Sequence, residues 1–98
     1  MAQFDAVRLH SGDLVVVLQS DLVEYLPTRL VAPLLPIDQV PSVVPRLNPK
    51  IAINDVEFIL ATHLAATVPM RQLGRVEAML SEHDYAIKAA IDMLIIGF

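Results

Sequence analysis

Along this chain, apolar positions come in short runs broken at intervals by turn-forming residues, which is the signature of strands rather than long helices. Residues 4–9 and 14–19 read as two strands joined by His10-Ser11-Gly12-Asp13, a glycine-containing turn suited to a hairpin. The second strand carries Val15, Val16, Val17 and Leu18, and such a continuous β-branched run predicts burial on both faces. Leu30 to Leu35 is a third strand. Pro33 has no N–H to give to a ladder, so this strand is expected to lie at a sheet edge or to carry a break. Pro36, Pro41, Pro45 and Pro49 exclude a regular helix or a central strand over residues 36–49, which read as an ordered extended loop. Lys50–Ile53 and Val56–Leu60 flank Asn54-Asp55, a dipeptide that tolerates the positive φ angles of a tight hairpin. A short helical turn around Thr62 to Ala66 and a strand near Met70 to Leu73 are expected next.

The last element differs in period. From Glu82 to Ile95 the apolar residues Ile87, Ile91, Leu94 and Ile95 fall at helical spacing with Ala90 beside them, while Asp84, Lys88 and Asp92 follow at intervals of four on the other side. Ser81 and Asp84 resemble a capping box at its start, and Gly97 stands where a C-terminal cap is expected. The fold class is therefore mostly β with one C-terminal α-helix, in a single domain spanning residues 1–98.

Composition adds a partner to this picture. Hydrophobic residues make up 55% of the chain and mean hydropathy is +0.57, more apolar surface than one small core absorbs, so a homodimer is expected. There is no cysteine, which excludes disulfides and thiolate metal sites. The N-terminal Met1-Ala2-Gln3-Phe4-Asp5 has no basic region or apolar run of a signal peptide. The aliphatic and proline stretch Leu30–Ile37 is too short to span a bilayer, so the expected location is cytoplasmic, away from membranes. With a net charge of −4 and no basic stripe, direct specific binding to nucleic acid is not expected.

No constellation of residues carries catalysis. His10, His63 and His83 form no metal-ligand spacing, the three glycines stand apart, and Ser11, Ser20, Ser42 and Ser81 sit in no nucleophile context. No metal, no cofactor and no catalytic residue is expected. His10 and His83 read as solvated groups, and His63 as a hydrogen-bonded, partly buried one. The C-terminus is the exception. Asp92 lies in the last turns of the helix, where the macrodipole disfavours a negative charge, and Ile95, Ile96 and Phe98 run apolar to the end of the chain. Such a tip either folds back onto the core or projects as a recognition surface, an apolar anchor beside a charge.

Four segments together resemble the CcdB family, the toxin half of a toxin–antitoxin pair. They are Gln3-Phe4; Gln19-Ser20-Asp21-Leu22-Val23 with Arg29-Leu30-Val31-Ala32-Pro33-Leu34; Ala66-Thr67-Val68-Pro69; and Ile87-Lys88-Ala89-Ala90-Ile91-Asp92 leading into Ile96-Gly97-Phe98. The resemblance covers essentially the whole chain. It implies a small antiparallel sheet related to SH3-like barrels of the CcdB and MazF/Kid type, and a homodimer whose paired helices present both tips. It also implies a target, the A-type chain of DNA gyrase (gyrase A), trapped after the enzyme has cut DNA, and a CcdA-like antitoxin that neutralises the toxin. On this resemblance Leu22, Val23, Asp92, Ile95, Ile96, Gly97 and Phe98 are the gyrase-binding residues. The chain departs from well-known members in carrying Ile96 where they have a tryptophan, and Asp92 where they have an asparagine. Two other readings stand beside this one: an endoribonuclease of the MazF/Kid type, which would have to gather a cluster from residues such as Arg8, Arg29 and His63, and a non-toxic homologue that binds only an antitoxin.

Overall fold

The computed structural model describes residues 1–97. Its strands are β1 (Asp5–Leu9), β2 (Leu14–Val17), β3 (Thr28–Pro36), β4 (Lys50–Ile53), β5 (Val56–Leu60), β6 (Ala66–Pro69) and β7 (Leu73–Met79), followed by one helix, α1 (Asp84–Ile96). All the pairings are antiparallel and run in the order β4-β5-β3-β2-β1-β7, with β6 also on β3. The result is a curled, half-barrel sheet backed by a C-terminal helix, the class that the pattern of apolar residues predicts.

The expected hairpins form for the expected reasons. Between β1 and β2, Gly12 takes φ +101° and donates its N–H to the Leu9 carbonyl at 2.9 Å. Between β4 and β5, Asn54 and Asp55 both adopt positive φ, 50° and 67°, and Ile53 pairs directly with Val56. All four residues of β2 are buried, because the sheet is covered on both faces. Leu14 and Val16 join Phe4, Ala6, Ala32, Leu34, Ile51, Ile53, Leu60 and Ile87 in the main core under α1. Val15 and Val17 point the other way, into a smaller cluster with Val7, Val31 and Leu73. Cross-strand pairs keep each set together: Ala6 faces Val16, Val7 faces Val15, and Val31 faces Val17.

β3 corrects one expectation and supports its alternative. It is not an edge strand: β2 lines one side of it, and β6 and β5 share the other. The break is where Pro33 predicts it. β6 pairs with Thr28–Val31, β5 pairs with Leu34–Pro36, and the partner changes at Ala32-Pro33. The Pro33 carbonyl accepts the Ala61 N–H at 2.9 Å on that side. In a strand the N–H and C=O of one residue point the same way, so the missing donor falls at the junction between two partners, where it interrupts neither ladder.

Other boundaries moved. Residues 36–49 hold a 3-10 turn at Ile37–Gln39 and no strand beyond Pro36, and Thr62–Leu64 is the expected short turn. The strand expected near Met70–Leu73 is a 3-10 turn, Met70–Gln72, followed by the longer β7. The expected capping box is not formed. A 3-10 turn, Ser81–His83, leads into α1, the residue preceding the helix is His83, and no side chain caps it. Entry through that turn satisfies the His83 N–H on the Leu80 carbonyl at 2.8 Å. No helix among the described residues is long and apolar enough to cross a membrane.

Candidate functional site

No cleft opens among the described residues, and no group of acidic, histidine or cysteine side chains there converges on a point that could hold a metal. What distinguishes the surface is apolar. Ile87 and Ala90 are buried and Ile91 is half-buried, so the first turns of α1 dock on the core and on the Thr62–Leu64 turn. Beyond Ile91 only Met93 remains half-buried, and the last turn is exposed. Leu94 is 41% exposed, Ile95 72% and Ile96 60%. Helical spacing placed Ile95 on the same stripe as Ile87, but the core ends before that turn is reached.

Gly97 closes the helix as expected. It takes φ +81°, and its N–H donates to the carbonyls of Asp92 and Met93 at 3.1 and 3.2 Å. A side chain would be strained in that conformation, and the cap leaves Ile95 and Ile96 projecting. Asp92 is exposed and has no ion-pair partner among the described residues, whereas Asp84, two turns earlier, lies 3.6 Å from Lys88. One apolar turn with an unpaired carboxylate beside it thus gathers Asp92, Ile95, Ile96 and Gly97. Phe98 lies outside the described residues.

Leu22 and Val23 occupy a second patch. They sit in a 3-10 turn, Asp21–Val23, whose first N–H groups are met by Ser20: its Oγ accepts from Leu22 N at 3.1 Å and its carbonyl from Val23 N at 3.1 Å. Asp21 Oδ1 accepts the Gln3 N–H at 2.8 Å, which ties the turn to the start of β1. Leu22 is 88% exposed. No hydrogen bond or ion pair among the described residues joins this turn to the helix tip. Tyr25, close by and 78% exposed, was missed by sequence reasoning. The only signal for it was an aromatic residue in a proline-flanked turn.

The polar residues weighed for catalysis are engaged elsewhere. Arg8 makes a forked pair with Glu77 at 2.8 and 3.0 Å and donates to the Gly12 carbonyl. The hydrogen bond between the two lifts the arginine above its usual range and lowers the Glu77 carboxyl below its own. Arg29 is buried on backbone carbonyls. His63 is exposed rather than partly buried, though it is hydrogen-bonded: its Nδ1 lies 3.3 Å from Asn48 Nδ2. The other two bonds of that amide, Nδ2 to the Leu60 carbonyl and Oδ1 from Val44 N, fix its orientation, so His63 Nδ1 is the acceptor. His10 is exposed, and His83 is half-buried beside Glu82 rather than fully solvated.

The described residues thus form a curled antiparallel sheet with one C-terminal helix whose last turn is apolar and exposed. Solved structures that share this fold include an Mtb toxin (TM-score 0.75, 19% identity, covering 92% of this chain and 99% of that one) and the Mycobacterium tuberculosis toxin MazF-mt6 (TM-score 0.71, 20% identity, 92% of each). None of the curated proteins matches the chain. The profile of the CcdB protein family matches residues 3–97, and the chain belongs to that family, the toxins of toxin–antitoxin pairs.

Proposed function

We propose that this toxin is a gyrase poison that acts by binding alone. As a homodimer it presents two helix tips to gyrase A, holds the enzyme in its DNA-cleaved state, and is released by a CcdA-like antitoxin. The observation that carries this reading is the projecting last turn of α1, where Ile95 and Ile96 are exposed beside an unpaired Asp92. Apolar side chains held on a rigid, capped helix make a compact anchor for a partner. Asp92 supplies a carboxylate for a charge-assisted hydrogen bond from a target arginine, and Leu22 and Val23 add a second apolar contact. The dimer is supported by the remaining exposed apolar surface, Met79 and Tyr85 among it. The absence of chemistry in this reading fits Arg8 and Arg29, whose guanidinium groups are already committed within the protein.

Expression from a tight promoter tests it in two strains, one with wild-type gyrase and one with a toxin-resistant gyrase A variant. Growth arrest in the first only is expected, and equal arrest in both refutes the target. Removal of residues 96–98 is expected to abolish arrest while the fold persists.

The likeness to MazF-mt6 favours a second reading, an endoribonuclease acting without gyrase. Specific cleavage of RNA by the pure protein would select it, and intact RNA beside gyrase-dependent arrest would discard it.

A further inference from the structure

The segment that joins β2 to β3 carries its backbone carbonyls inward and its large side chains outward. Two side chains take three of those carbonyls and that of Thr28, the first residue of β3. Gln19 Nε2 donates to Val23 O at 3.1 Å and to Thr28 O at 3.3 Å, while Gln19 Oε1 accepts from Leu30 N at 3.1 Å. Arg29 Nη1 donates to Leu26 O at 2.7 Å and Thr28 O at 2.9 Å, and Nη2 donates to Glu24 O at 2.5 Å. The segment's own amides are bonded as well, Val23 N to Ser20 O, Glu24 N to Asp21 O and Leu26 N to Val23 O.

Arg29 is 5% exposed, and no carboxylate pairs with it among the described residues. A buried guanidinium without a counter-charge is costly, and hydrogen bonds to neutral carbonyls are what offset that cost here. An apolar side chain in its place would leave the carbonyls of Leu26 and Glu24 without that donor. What only the planar guanidinium can do is hold several carbonyls of one turn in a fixed fan. The consequence faces outward: Leu22 and Tyr25 are 88% and 78% exposed, and no residue of the Asp21–Val23 turn is fully buried.

We propose that Arg29, with Gln19, is a positioning residue that presents Leu22, Val23 and Tyr25 as one rigid contact face for the protein target. This rests on the reading that the Leu22–Val23 turn meets gyrase. Ordering the turn before contact removes an entropic cost from binding, so the clamp acts on affinity through residues it does not itself expose.

The test uses the full chain, its Arg29→Met and Arg29→Lys variants, and purified gyrase A. In Arg29→Met, amide exchange at Val23, Glu24 and Leu26 is expected to accelerate about tenfold while the amides of β1 and β2 stay within about twofold, the scale of one net hydrogen bond lost from a local opening unit. Arg29→Lys, which keeps the charge but not the planar fork, is expected to restore only part of the protection. Gyrase binding should weaken about tenfold through faster dissociation, with a smaller further loss when Arg29→Met is added to Leu22→Ala, because the two act on one contact face. Unchanged exchange in the turn, or acceleration spread evenly over the strands, overturns the clamp. If the wild-type protein fails to bind gyrase A, the target reading fails, and the exchange pattern still decides the clamp. Should Arg29→Met not fold, Gln19→Leu decides it in the same way, read at Val23 and at Leu30, whose amide loses its acceptor.

Discussion

Two isoleucines eight positions apart on α1 separate the part of the helix that holds the fold from the part offered to a partner. Ile87 is 0% exposed within the main core, and Ile95 is 72% exposed. Truncating Ile87 to alanine removes three carbons from a fully buried site. At about 0.8 kcal/mol each this is about 2.4 kcal/mol of transfer free energy. The cavity left among neighbours such as Phe4, Leu60 and Leu80 raises the total to about 3–4 kcal/mol. For a domain of this size each kcal/mol lowers Tm by about 4–8 °C, so the fall should exceed about 10 °C. The same change at Ile95 removes atoms already in water and should stay within about 0.5 kcal/mol. Urea titrations and melts at one fixed protein concentration measure both. Toxicity should rank the other way per folded molecule, with Ile95→Ala the weaker toxin. Equal destabilisation by the two substitutions would refute the reasoning, since it would place Ile95 inside. So would a loss at Ile87 below about 1 kcal/mol, which is no more than a well-accommodated core change.

Two further substitutions test the sheet. A Cβ on Gly74 would stand 2.5 Å from the Arg8 carbonyl oxygen, a backbone atom of the neighbouring strand that cannot swing aside. Gly74→Ala should therefore cost roughly 1–3 kcal/mol by forcing β1 and β7 apart, and an unchanged melt would show that the strands do not approach so closely. The Arg8–Glu77 pair makes a pH-dependent contribution. Because its folded-state carboxyl is held below the usual range by the arginine's hydrogen bond, stabilisation is present above the unfolded-state value and is lost as acid protonates Glu77. Denaturation midpoints from about pH 6 down to about pH 2 should fall less steeply in Glu77→Gln than in the wild type, with the difference shrinking in high salt. Parallel profiles would show that the pair contributes nothing.

Much of the architecture was legible in the chain because the causes are local. Positive φ at Gly12 and at Asn54-Asp55 belongs to those residue types, and both hairpins follow from it. The valine run of β2 announced two covered faces, Gly97 announced the cap, and Pro33 announced a break in β3. Other features depend on partners far away in sequence. β6 is a strand because Thr28–Val31 pairs with it, and its own residues, half of them exposed, carry no pattern. β7 escaped because its register against β1 shifts between Ala6 and Val7 and again between Val7 and Leu9, and each shift resets the alternation that marks a strand.

The candidate site divides in the same way. By itself the sequence determined that the chain ends in an apolar helix with a glycine cap, since helical spacing and φ preference are properties of single residues and near neighbours. Whether that end is core or surface was a tertiary decision. The main core takes in Ile87 and Ile91 but not Ile95, so Ile95 and Ile96 stand in solvent although the helical period places Ile95 with Ile87. Arg29 reads in the chain as one of five arginines, and only the folded loop, by closing three carbonyls around its guanidinium, makes it a buried clamp behind Leu22 and Tyr25.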